Sequence, residues 1–286
     1  FDTSNVTNME SMFQYCENLN DLNISKFNTK NVTNMNFMFN DCKNVNNLNV
    51  SSFDTSNVTN MKAMFQLCEN LNDLNLSSFN TKKVTDMSYM FNKCKNINNL
   101  DVSSFDTSKV INMESMFSSC EKVNIINVSE FDTKYVTDMN FMFNKCKKIT
   151  FLNLSSFSTG NVNNMKAMFE FCENIKKLDL SNFDTNKVID MSYMFNGCKN
   201  MNILDISSLD TKNVTDMQYM FRLCENIKEL NLLNFDTKNV TDMSNMFLRC
   251  KNISYLNISS FVTNNTTKMK CMFEECENII ELDLSK

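Results

Sequence analysis

The chain has 286 residues, of which 42% are hydrophobic and 21% charged, with no Pro, His or Trp, two Gly, 23 Met and 25 Phe. That much apolar material packs a core and excludes disorder, while a net charge of −5 gives neither a basic footprint for nucleic acid nor a strongly acidic tail. No apolar run approaches the roughly 20 residues of a membrane-spanning helix, and the start at Phe1, inside a repeat, reads as a window cut from a longer chain. A missing leader therefore says nothing about compartment.

Phe recurs at Phe1, Phe27, Phe53, Phe79, Phe105, Phe131, Phe157, Phe183, Phe235 and Phe261, with Leu209 in the one vacancy, so that eleven coils of 26 residues account for a single array over 1–286. Counting each coil from that Phe, Val6, Met9, Met12, Phe13 and Cys16 are spaced by threes and fours and predict an amphipathic helix. Thr7 and Asn8 are its candidate N-caps. Asn18, where nine of eleven coils keep Asn, is its left-handed C-terminal stop. Leu19, Leu22 and Ile24 then give an L-x-x-L-x-L run that alternates with Asn23 and Ser25, a short strand with one buried face. One strand and one helix per coil cannot bury their own apolar side, so neighbours must stack. The expected fold is an α/β solenoid of eleven strand-helix coils with a parallel sheet on one face.

The L-x-x-L-x-L strand followed by M-F-x-x-C resembles the leucine-rich repeats. More closely, Phe53-Asp54-Thr55-Ser56-Asn57-Val58-Thr59-Asn60-Met61 and Met64-Phe65-Gln66-Leu67-Cys68 resemble the bacterial surface-protein 26-residue repeat, a relative of the BspA-type leucine-rich repeats. The resemblance covers the whole chain. It implies surface exposure and roles in adhesion or host contact, and it brings no catalytic residues to transfer.

Comparing coils adds a second layer. The residue after the invariant Cys alternates Glu17, Lys43, Glu69, Lys95 and so on to Glu277, which sets opposite charges on neighbouring coils and opposes a shifted stack. Position 11 alternates small and large from Ser11 and Phe37 to Ala167 and Tyr193, and position 15 partly runs the other way. Bulky groups packing beside small ones would make the pair of coils the structural unit, and duplication of a pair and then a quartet gives the same pattern.

Chemistry is sparse. With no His and no C-x-x-C, the eleven equivalent cysteines suit zinc poorly and read as buried free thiols; Cys271, off the pattern, is the thiol expected to react if any does. The Thr column, Thr3 to Thr263, admits an ice-binding row or, more simply, hydrogen bonds to the backbone of its own or the next coil. Asn and Asp at position 23 form a polar column readable as an amide ladder or as a glycan or cation surface. Carboxylates are spread periodically instead of gathered, so neither catalysis nor a cofactor is expected.

If positions 22 and 24 point inward, 21, 23 and 25 point outward. Position 21 turns from polar to partly apolar after coil four, and Ile125, Phe151, Ile203 and Tyr255 are the candidate contact residues. The reading is a non-enzymatic, extracellular cell-surface protein that adheres to or recognises a host or neighbouring-cell protein or glycan. Its alternative is a subunit that self-associates end to end into a filament, since neither end carries a recognisable cap. Val262, Thr266 and Lys268 depart from the consensus as terminal repeats often do.

Overall fold

A computed structural model describes residues 1–284 as a repeat solenoid. Of the parallel strands expected in the L-x-x-L-x-L run of every coil, five form among the described residues, each at positions 21 to 23: β1 (Lys177–Asp179) pairs with β2 (Ile203–Asp205), and β3 (Glu229–Asn231), β4 (Tyr255–Asn257) and β5 (Glu281–Asp283) form a second small sheet. Single parallel bridges at position 21 continue the column through Asn47, Asp73 and Asn99. A second column of bridges runs at position 8 from Asn8 to Lys268. In β1, β2 and β3 the middle residue lies inside and its neighbours outside, as the alternation requires.

The expected helix is not there: among the described residues no α-helix forms. Residues at positions 9 to 16 instead build a wall of tight turns. The amides at positions 12, 14 and 16 turn back three residues, as in Met38 to Met35, Asn40 to Phe37 and Cys42 to Phe39. The amides at positions 9, 11, 13 and 15 point along the solenoid and donate to carbonyls 8, 10, 12 and 14 of the next coil, as Ser11 does to Asn36 and Phe13 to Met38. This alternation needs a left-handed residue at positions 11 and 15, and every coil has both, from Ser11 (φ 57°) and Tyr15 (φ 63°) to Cys271 and Glu275. Such a conformation costs a side-chain-bearing residue about 1–2 kcal/mol; four axial hydrogen bonds per junction offset it. Asn18 is not left-handed. Along its column, Asn side chains bond to one another, as Asn96 donates to Asn70, or to the preceding backbone, as Asn252 donates to the Glu225 carbonyl.

The spacing by threes and fours nevertheless identified the buried side. In the interior coils Val, Met, Met, Phe and Cys at positions 6, 9, 12, 13 and 16 are fully buried. The position-13 rings form one continuous stack from Phe13 to Phe273, with centroids 5.5 Å apart at one end and 5.7 Å at the other and nearly parallel planes. In coils 2 to 11 the position-16 thiol donates to the position-13 carbonyl of the preceding coil, as Cys146 does to Phe117 at 3.1 Å. Burial pushes Cys42 and Cys198 up to about 12 and Cys68, Cys94 and Cys146 well above the usual thiol range. These are free, inert thiols.

The Thr column closes the coils. Thr133 Oγ1 donates to the Ser158 carbonyl (3.0 Å) and accepts from the Ser158 amide (2.8 Å), and the hydroxyls from Thr3 to Thr237 repeat the donation. With these hydroxyls buried, the column is a backbone clamp and presents no ice-binding row. Position 23 caps its own turn, as Asn153 Oδ1 accepts from the Ser155 amide and hydroxyl.

Pairing of coils is partly realised. Lys43–Glu17, Lys95–Glu69, Lys147–Glu121 and Lys199–Glu173 join coils two by two at 2.7–3.4 Å, whereas Lys251 turns forward to Glu277. At position 15 the bulky-beside-small expectation holds for Gly197, where a Cβ would sit 2.3 Å from the Phe171 ring. At position 11 it fails at Tyr193 and Tyr219, which stack at 4.6 Å.

Candidate functional site

The strand face is where the repeat leaves side chains free. Strand pairing uses the backbone at positions 21 to 23, position 22 fills the core, and position 21 is left facing outward. Ile125 is 67% exposed, Phe151 64%, Ile203 54% and Tyr255 48%. Ile203 opens β2 and Tyr255 opens β4; Ile125 and Phe151 hold the equivalent position in coils 5 and 6, outside the paired strands. Neighbouring strands lie about 4.8 Å apart, so Ile125 and Phe151 are adjacent, while Ile203 and Tyr255 alternate with the charged Lys177 and Glu229 in an apolar–charged rhythm along the axis.

Between coils 6 and 7 this face has a cavity of about 270 Å³, lined by Phe151, Ser155, Lys177, Asp179, Ser181 and Asn182 among others. The Asp179 carboxylate is fixed by the Ser181 amide at 3.0 Å, and that hydrogen bond holds its pKa below the usual carboxylate range. Asp205 is lowered in the same way by the hydroxyl and amide of Ser207. The groove thus offers an aromatic wall in Phe151, a cation in Lys177 and a fixed acceptor in Asp179.

Sequence reasoning missed Leu233, which is exposed on the same face at position 25. Its signal was present, since the other coils carry Ser at that place through Ser259. It also passed over Lys177 and Asp179, because a charge at a permissive position carries no mark of its own. At position 7, Ile111 and Ile189 stand exposed where most coils have Thr. Cys271 is partly exposed, and its bond to Glu274 raises its pKa. Among the described residues, no three Cys, Asp or Glu side chains gather as a metal site, and no helix is long and apolar enough to cross a membrane.

The family model described as "Mycoplasma protein of unknown function, DUF285" matches residues 1–99, 68–178 and 164–286, which together span the chain. No curated protein matches it. Among solved structures it is similar to a leucine rich cell surface protein from Faecalibacterium prausnitzii, at 15% identity and a TM-score of 0.38, over 87% of this chain and 76% of that one. A leucine-rich repeat protein from Eubacterium ventriosum is similar at 16% identity and a TM-score of 0.38, over 91% and 78%. The functional domain of InlJ from Listeria monocytogenes, described as including a cysteine ladder, is similar at 16% identity and a TM-score of 0.31; this chain is covered over 93% but spans only 58% of that one.

Proposed function

The chain belongs to the DUF285 repeat family, and from that premise we propose that it is a non-enzymatic cell-surface recognition module, which adheres to a protein or glycan of a host or neighbouring cell through its strand face. The observation that carries this reading is the column of Ile125, Phe151, Ile203 and Tyr255, which the repeat does not need for packing and which stands exposed on one face. Aromatic anchors beside fixed polar groups are what binding surfaces concentrate. Titratable groups strung out along columns suit an extended contact better than a catalytic centre.

Binding of the labelled array to intact cells, measured by flow cytometry, tests the proposal. The Phe151→Ala, Tyr255→Ala double variant is expected to bind about tenfold or more weaker, and Asp21→Ala at the polar end of the same column to bind as before. Protease or periodate treatment of the cells distinguishes a protein from a glycan partner. Binding that ignores the aromatic pair contradicts the proposal.

A further inference from the structure

Two columns that run regularly elsewhere are interrupted in the middle of the array. The position-18 amide ladder joins Asn44 through Asn70 to Asn96 and runs again from Asn174 to Asn252, and Lys122 and Lys148 stand in the gap. The position-21 bridges pass through Asp73 and Asn99 and pairing resumes at Lys177; among the described residues none includes Ile125 or Phe151. Lys176 and Lys177 then occupy positions 20 and 21 of coil 7, where coils 1 to 4 carry only Asn and Asp. All four lysines are exposed. Among the described residues none of them is within ion-pair distance of a carboxylate, whereas Lys147 and Lys199 are paired with Glu121 and Glu173 at 2.7 and 3.4 Å. Asp179 shares the groove with Lys177 but is engaged by the Ser181 amide, so the patch keeps an excess of positive charge on a chain whose net charge is −5. Ile125 follows Lys122, and Phe151 follows Lys148, at the same spacing. Each exposed apolar group thus has a cation of its own coil at one side.

We propose that coils 5 to 7 are the centre of the recognition face and that their occupant is an acidic peptide segment of a partner protein, with an apolar side chain seated on Ile125 and Phe151 and carboxylates facing Lys122, Lys148, Lys176 and Lys177. The inference rests on the recognition reading of the strand face and names the chemistry of its partner. The lysines have no duty in the solenoid. At position 18 they forgo the amide hydrogen bonds that Asn makes in the neighbouring coils, so packing does not account for them. Their charge selects the sign of the partner, because unpaired ammonium groups draw in an anion over about 10 Å at ordinary salt and reject a cation. The apolar pair selects its class. An anionic glycan would satisfy the cations but lay hydroxyls against Ile125, whereas an aliphatic or aromatic side chain set between carboxylates matches the apolar pair and its charged rim together.

The test is fluorescence anisotropy of a labelled peptide of alternating Glu and Leu, titrated with the polypeptide of residues 1–286, beside a matching peptide of alternating Lys and Leu and labelled heparin as a sulfated glycan. The Glu–Leu peptide is expected to bind and the Lys–Leu peptide to stay free. Binding should weaken about tenfold when Lys122→Gln, Lys148→Gln, Lys176→Gln and Lys177→Gln are combined, and about tenfold on Ile125→Ser with Phe151→Ser. Lys30→Gln, Lys82→Gln, Lys109→Gln and Lys238→Gln together remove the same charge from positions 4 and 5 and should leave binding unchanged, with thermal melts showing that every variant is folded. A Glu–Leu peptide that does not bind, or that ignores the four strand-face lysines, overturns the acidic-peptide assignment. So does tighter binding of heparin that survives Ile125→Ser with Phe151→Ser. The wider recognition reading falls separately, with the loss of any dependence of cell binding on Phe151 and Tyr255.

Discussion

Positions 9 to 16 and positions 20 to 25 of each coil are stacked side by side in the same array, yet they are built in opposite ways. The turn wall commits both backbone and side chains: four amides per junction point along the axis, and Met, Met, Phe and Cys are turned into the core. The strand face commits its backbone and two buried side chains, at positions 22 and 24, leaving position 21 without a structural duty. The wall is accordingly monotonous at its inward positions 9, 12, 13 and 16, while positions 10, 11, 14 and 15 vary. The face is where Asp21, Asn47, Phe151, Lys177, Ile203 and Tyr255 can share one register. Side-chain variety appears where the solenoid does not need a side chain, and there it can be used for recognition.

The largest expected effect that sharpens this contrast is in the ring stack. Phe143 is fully buried between Phe117 and Phe169, at 5.7 and 5.9 Å. Phe143→Ala should cost about 3–5 kcal/mol, read as a fall in the urea midpoint, and a loss below about 1 kcal/mol would break the contrast. The buried thiols give the next effect. Their folded pKa values are raised, so in neutral and acid solution both states are protonated and stability is unaffected. Above about pH 8.5 the unfolded chain ionises while the folded thiols stay neutral until about 12. Stability should then fall with rising pH by about 1.4 kcal/mol per unit for each buried thiol, and a denaturation midpoint that stays flat from pH 8 to 10 would contradict it. The smallest effect belongs to the face. Phe151→Ala, the change that weakens binding, should shift stability by no more than about 0.5 kcal/mol.

The period, the inward columns and the outward strand positions were legible in the sequence because burial follows spacing whatever the backbone does. The helix was misread for the same reason. Val6, Met9, Met12, Phe13 and Cys16 lie on one side of a helix and equally on one side of a turn wall. What separates the two is the left-handed backbone at positions 11 and 15, where Tyr89, Phe141, Lys93 and Leu223 carry no glycine-like mark of it. Only Gly197 sits at such a place, and Asn18, which had the right chemistry, does not adopt that conformation. The Thr clamp and the Lys–Glu pairs were foreseen in kind, since both follow from facing columns. The groove beside Phe151 was not, because Lys177 and Asp179 belong to the next coil and meet it only through stacking.

Residue-resolved amide hydrogen exchange on a dilute polypeptide of residues 1–286 tests the central claim most directly, by comparing coil 6 with coil 11. The account predicts slow exchange at Phe141, Phe143 and Lys145, whose amides are held by the following coil, and fast exchange at Cys271, Phe273 and Glu275. Glu274 and Cys276, bonded within their own coil, should stay slower than those three. Equal protection of the two coils at these positions would mean that the wall satisfies its own amides as a helix does, and would contradict the axial ladder.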